Sequence, residues 1–119
     1  MVQRAIRLID AYLNLSGHNT YDFINCIRNK PFNFPASRFL RSYSKRLAFL
    51  DGLRLRRIKK AMDDAAINNK IFHLWWHPHN FGINTIENIN FLSKIMEHYN
   101  HLKKKYSMSS LNMGELCSL

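Results

Sequence analysis

Residues 70–82 read Lys-Ile-Phe-His-Leu-Trp-Trp-His-Pro-His-Asn-Phe-Gly, and no other stretch limits the fold as strongly. Residues 71–77 are rich in β-branched and aromatic side chains and are bounded by Asn68-Asn69 and Pro78. This is the pattern of a buried strand running into a loop. Strand side chains alternate, which sets Phe72, Leu74 and Trp76 on one wholly apolar face and Ile71, His73, Trp75 and His77 on the other. Pro78 has no backbone N–H and biases His77 toward an extended conformation, so the strand is expected to stop with His77 at its carboxyl end. Active sites of α/β folds gather at those ends.

Three histidines, His73, His77 and His79, fall in this stretch. His73-x-x-x-His77 has the spacing that sets two imidazoles on one helix face, but in a strand it separates the Cα atoms by roughly 13 Å. Zinc ligands must converge to about 2.0–2.1 Å from the ion. No Cys, Asp or Glu lies between Lys70 and Thr85, so no metal site is expected here unless the segment is not a strand. His73 is expected to be a hydrogen-bonded interior residue. Trp76 is assigned to packing with Phe72 and Leu74. Trp75, on the histidine face, is the candidate substrate contact.

The run His73-Leu74-Trp75-Trp76-His77-Pro78-His79-Asn80-Phe81-Gly82, followed by an Asn-rich helix, resembles the last motif of the polysaccharide deacetylases with the NodB homology domain, carbohydrate esterase family four. In that family the motif is a hydrophobic strand ending in a histidine that acts as general acid on the departing amine. His77 matches that position, with His79 as the fallback two residues along the loop. Pro35-Ala36-Ser37-Arg38-Phe39-Leu40-Arg41 is also similar to a segment of the same family, with no role assigned to it. The resemblance spans the chain loosely from about Arg4 to Glu115 and is specific around His73 to Gly82.

The remaining segments read as scaffold. Val2, Ala5, Ile6, Ile9, Tyr12 and Leu13 form a helical stripe over residues 2–15, with Gly17 as the expected stop. Residues 18–30 are polar around Phe23, Ile24 and Ile27, a helical turn or an irregular link. Pro31-Phe32-Asn33-Phe34-Pro35 reads as a short edge strand or an extended loop. Leu55, Ile58, Ala61, Met62 and Ala65 keep helical spacing over residues 53–69, and Gly52 marks a turn from residues 44–50. Asn84 with Glu87 is expected to start a helix whose stripe is Leu92, Ile95, Met96, Tyr99 and Leu102 and whose end carries Lys103, Lys104 and Lys105. Asn112 with Glu115 offers a second capping box.

The fold expected is α/β: the C-terminal portion of a distorted (β/α) barrel of the NodB deacetylase type, with residues 1–119 as one partial domain. Its reaction, as the resemblance implies, is hydrolysis of an acetamido group on an N-acetylated polysaccharide or oligosaccharide. A divalent metal, commonly zinc, polarises the carbonyl and activates water there, and an aspartate serves as base. The metal ligands of that family lie in an Asp-Asp motif after an apolar strand and in H-[S/T]-x-x-H. Neither is present, since Asp63-Asp64 lies inside a predicted helix. The chain is therefore expected to be the C-terminal part of such a domain, carrying no metal ligands and inactive alone.

The alternative from another class comes from charge. Eighteen Lys and Arg against eight Asp and Glu give +10, and Arg54, Arg56, Arg57, Lys59 and Lys60 form the densest cluster. A small basic module binding nucleic acid or another polyanion through that cluster is the second reading. A solvated helix face is the plainer one. No aromatic residue interleaves with these charges to make a stacking platform. Hydrophobic content of 46% is that of a folding chain. Cys26 and Cys117 lack metal-ligand spacing, and no run has the ~18 apolar residues of a membrane span. A cytoplasmic chain is the default expectation.

Overall fold

In the computed structural model, which describes residues 1–119, the chain runs α1 (Val2–Asp10), α2 (Phe23–Cys26), β1 (Arg38–Phe39), a 3-10 turn (Lys45–Leu50), α3 (Asp51–Ile67), β2 (Leu74–Trp75), a second 3-10 turn (Pro78–Phe81), α4 (Thr85–Tyr106) and α5 (Met113–Cys117). Helical residues make up 56% of it.

α3 buries Arg54, Arg57, Ile58, Ala61, Met62 and Ala65. These steps of three and four residues are one face of a 3.6-residue helix. α4 answers with Asn88, Phe91, Ile95 and Leu102. Leu40, Ile58, Met62, Phe81, Phe91, Ile95 and Leu102 form the core, with Phe72, Leu74 and Trp76 packed against it. The apolar face inferred from alternation is thus the one that turns inward. Met96 lies off the buried face of α4 and is 47% exposed.

Side chains set the end of α1 and the start of α5. α1 stops at Asp10, whose Oδ1 accepts the N–H groups of Leu15 (3.0 Å) and Ser16 (2.9 Å). It does not reach Gly17, which lies beyond the helix at φ +84°. Asn84 stands at the N-cap of α4 without a side-chain cap bond. There the Thr85 hydroxyl donates to the Phe81 carbonyl (2.9 Å) and the Asn88 amide to the Asn84 carbonyl (2.9 Å). The capping box of α5 forms as expected: Asn112 Oδ1 accepts from Glu115 N (2.9 Å) and Glu115 Oε2 accepts from Asn112 N (2.8 Å).

β1 and β2 pair in parallel, Arg38 opposite Leu74 and Phe39 opposite Trp75, with α3 as the crossover between them. One antiparallel bridge, Tyr21 to Ile71, lies outside these strands. Residues 31–35 form an irregular loop, and the strand falls instead on Arg38–Phe39.

The expectation of a partial (β/α) barrel is corrected. A barrel wall needs successive long parallel strands closing on one another. Here two strands of two residues each make the whole sheet, and the fold is mostly helical. Residues 71–77 have the alternation of a strand along their length, yet only Leu74–Trp75 forms a strand, and Ile71 makes a single bridge to Tyr21. No helix is long and apolar enough to cross a membrane.

Candidate functional site

Strand pairing brings together rings that are far apart in sequence. Phe39 on β1 lies 4.7 Å from Trp75 on β2, centroid to centroid. The His77 imidazole stands edge-on to Trp75 at 5.2 Å and 6.2 Å from Phe39. His79 stacks on His77 at 5.2 Å with 14° between planes. Phe39, Trp75 and His77 form a triangle of rings at the carboxyl ends of the parallel pair, with His79 stacked on its outer corner, the place expected for chemistry in such a unit.

The backbone under this triangle is pinned from several sides. Leu40 N donates to Trp75 O (2.8 Å), Ser37 N to His73 O (2.9 Å) and His73 N to Ser37 Oγ (2.9 Å). Asn80 holds the turn after the strand: its N–H donates to His77 O (2.9 Å), and its Oδ1 accepts from His77 N (3.3 Å). Behind the triangle, Trp76 stacks on Phe81 at 5.6 Å with 8° between planes, fixing the strand to the core. Trp75 is 38% exposed, and His77 and His79 are exposed.

Each histidine has a distinct setting. His73 is half-buried, and its Nδ1 lies 3.2 Å from the Phe34 carbonyl. A carbonyl only accepts, so Nδ1 carries the proton; His73 has the hydrogen bond expected of it but is half-buried rather than interior. The His77 side chain takes part with Asn80 in the capping box of the second 3-10 turn, and its imidazole is exposed.

The zinc implied by the resemblance does not fit the residues present. No group of three His, Cys, Asp or Glu side chains is placed to hold a metal ion. The lone pairs of stacked imidazoles lie in near-parallel planes, so those of His77 and His79 do not converge as tetrahedral coordination requires.

The basic cluster divides. Arg54 and Arg57 are 3% and 4% exposed and serve the fold. Arg54 donates to the Arg41 carbonyl, stands 3.1 Å from Asp51 Oδ1 and lies 3.8 Å over the Phe91 ring. Arg57 pairs with Asp10 at 3.2 Å and donates to the Gly17 carbonyl at 2.6 Å. Burial lowers the pKa of both guanidiniums, with Arg38 acting in the same direction on Arg57. Arg56 and Lys60 are exposed and Lys59 half-buried.

Two arrangements have no local signal in the sequence. Phe39 joins the ring triangle through strand pairing. Asp63 on α3 meets His98 on α4, Oδ1 to Nε2 at 2.7 Å, through helix packing. Comparison with known protein families gives no match. Curated proteins and solved structures likewise give none.

Proposed function

We propose that this chain is the proton-donating part of a deacetylase acting on an N-acetylated polysaccharide, with His77 as general acid and Trp75 as a platform for the sugar. The observation that carries the reading is the exposed His77 ring, edge-on to Trp75 at 5.2 Å. His79, stacked behind it, is the alternate acid.

The chemistry needs such a group. Once water has added to the acetyl carbonyl, the C–N bond breaks easily only if the nitrogen is protonated, because an amide anion is a poor leaving group. An imidazolium at His77 gives its ring proton to that nitrogen, releasing the free amine and acetate. The neutral imidazole then recovers a proton from the water that attacked. Trp75 and Phe39 offer an apolar wall to the C–H face of a pyranose, which orients the acetamido group toward the imidazole. The chain has no set of ligands to activate the water. General acid catalysis supplies only ~10²–10⁴-fold, so no acetate release is expected from this chain alone.

The test is NMR titration of the chain with N-acetylchitotetraose, read at the Trp75 indole N–H and the His77 ring. Saturable shifts at both, lost in Trp75→Ala and reduced in His77→Ala, are expected, with no acetate released. Shifts that do not saturate, or a titration that Trp75→Ala leaves unchanged, would overturn the reading.

A further inference from the structure

A groove of about 300 Å³ lies between the segment following α1 and the N-terminal half of α3, lined among others by Tyr12, Asn14, His18, Arg56, Arg57 and Lys60. No carboxylate lines it. The ion pairs of the molecule are Arg38–Asp10, Arg54–Asp51, Arg57–Asp10 and His98–Asp63, which leaves Arg56 and Lys60 uncompensated. Arg57 is compensated only by an aspartate that it shares with Arg38.

Arg57 makes this more than a charged surface. It is 4% exposed, and two of its nitrogens are committed: Nε donates to Asp10 O (3.2 Å), and Nη2 to Asp10 Oδ1 (3.2 Å) and Gly17 O (2.6 Å). Nη1 is buried with no hydrogen-bond partner in the protein, and so is Nδ1 of His18. Buried polar groups are normally satisfied, and these two belong to side chains lining one groove whose other charges are all positive.

We infer that this groove is a phosphate site for a small phosphate monoester. A dianionic phosphate offers oxygens to several donors at once and matches the two uncompensated cations, whereas a carboxylate would leave one of them unpaired. The groove on the opposite flank of α3 shares Arg56 and Lys60 but contains Asp63 beside His98, and that carboxylate opposes an anion. The phosphate groove shares no residue with the His77 site, so each proposal stands or fails without the other.

The test is NMR titration of the full chain with glucose 6-phosphate, alongside inorganic phosphate, acetate and a deoxythymidine oligonucleotide. Saturable shifts at Tyr12, His18 and Lys60 are expected with both phosphates, and acetate should bind at least tenfold more weakly. The exposed pair Arg56→Ala and Lys60→Ala, combined, should weaken glucose 6-phosphate at least tenfold. The charge-matched pair Lys103→Ala and Lys104→Ala should leave it unchanged. Equal weakening by both pairs, equal affinity for acetate, or tighter binding of the oligonucleotide centred on Lys103, Lys104 and Lys105 would each overturn the inference.

Discussion

Asp10 accepts from two backbone N–H groups, one hydroxyl and two guanidiniums: Leu15 N at 3.0 Å, Ser16 N at 2.9 Å, Ser16 Oγ at 2.7 Å, Arg38 at 3.1 Å and Arg57 at 3.2 Å. Burial alone would raise its pKa. The bonds from Ser16, Arg38 and Leu15 outweigh burial and hold the carboxyl well below its ordinary value of 3.8. A folded pKa below the unfolded one means stability that is present above pH 3.8 and lost as pH falls below it. Asp10→Asn keeps the shape but leaves two buried guanidiniums without their anion, and should cost about 3 kcal/mol near neutral pH in urea unfolding. The gap between the two proteins should narrow as pH drops from 5 to about 3; an unchanged gap would remove Asp10 from this role. Arg54 and Arg57 show what residue type concealed. By position they continue the stripe Ile58, Ala61, Met62 and Ala65 backward, so helical spacing already marked them as inward-facing. Their charge led to the expectation of a cluster for solvent or a polyanion. Asp51 one turn back for Arg54, Asp10 from α1 for Arg57, and nearby carbonyls make that burial tolerable.

Among the elements, α3 and α4 carry the core, and their inward faces follow from spacing alone. The strands do not. Alternation along residues 71–77 tells which side chains face inward, and the burial of Phe72, Leu74 and Trp76 agrees with it. It does not tell how many partners a strand will find, because pairing depends on a segment 36 residues away that reads locally as loop. The barrel expectation fails for this reason, and for the same one no local pattern places Phe39 beside Trp75. What was legible of the candidate site was what one segment contains: His77, Trp75 and the hydrogen-bonded His73. The helix seam can be tested at Ile95, which is 2% exposed and belongs to the core cluster. Ile95→Ala should lower stability by about 2–5 kcal/mol and Ile95→Val by about 0.5–1.5 kcal/mol, both read from the urea midpoint at unchanged slope. A loss below about 1 kcal/mol for the alanine variant would mean that the α3–α4 seam is not where the core lies.

Across the whole molecule, burial is uneven. α1 has no buried residue, and Val2, Ile6, Ile9 and Leu13 show 73%, 51%, 47% and 52% of their surface. Its stripe has the periodicity of a packing helix, yet the fixed tie recorded at its end is polar: Asp10 to Arg38 and Arg57. Isolated helices of this length are marginal in water, so α1 depends on that tie rather than on apolar contact. α3 and α4, in contrast, bury their inward faces against each other. Amide exchange reports the free energy of the opening that exposes each N–H, which gives a definite order. The amides of Ile58, Met62, Phe91 and Ile95 should exchange slowest, at the rate of global unfolding. Those of Ile6, Arg7 and Leu8 should exchange orders of magnitude faster and at a rate indifferent to Ile95→Ala, because their opening does not disturb the seam. Asp10→Asn should speed exchange within α1 toward the rate of an unstructured chain. Protection in α1 equal to that in α3, falling together with it in the Ile95→Ala variant, would show instead that the N-terminal helix is one cooperative unit with the core and that its exposed stripe has little bearing on stability.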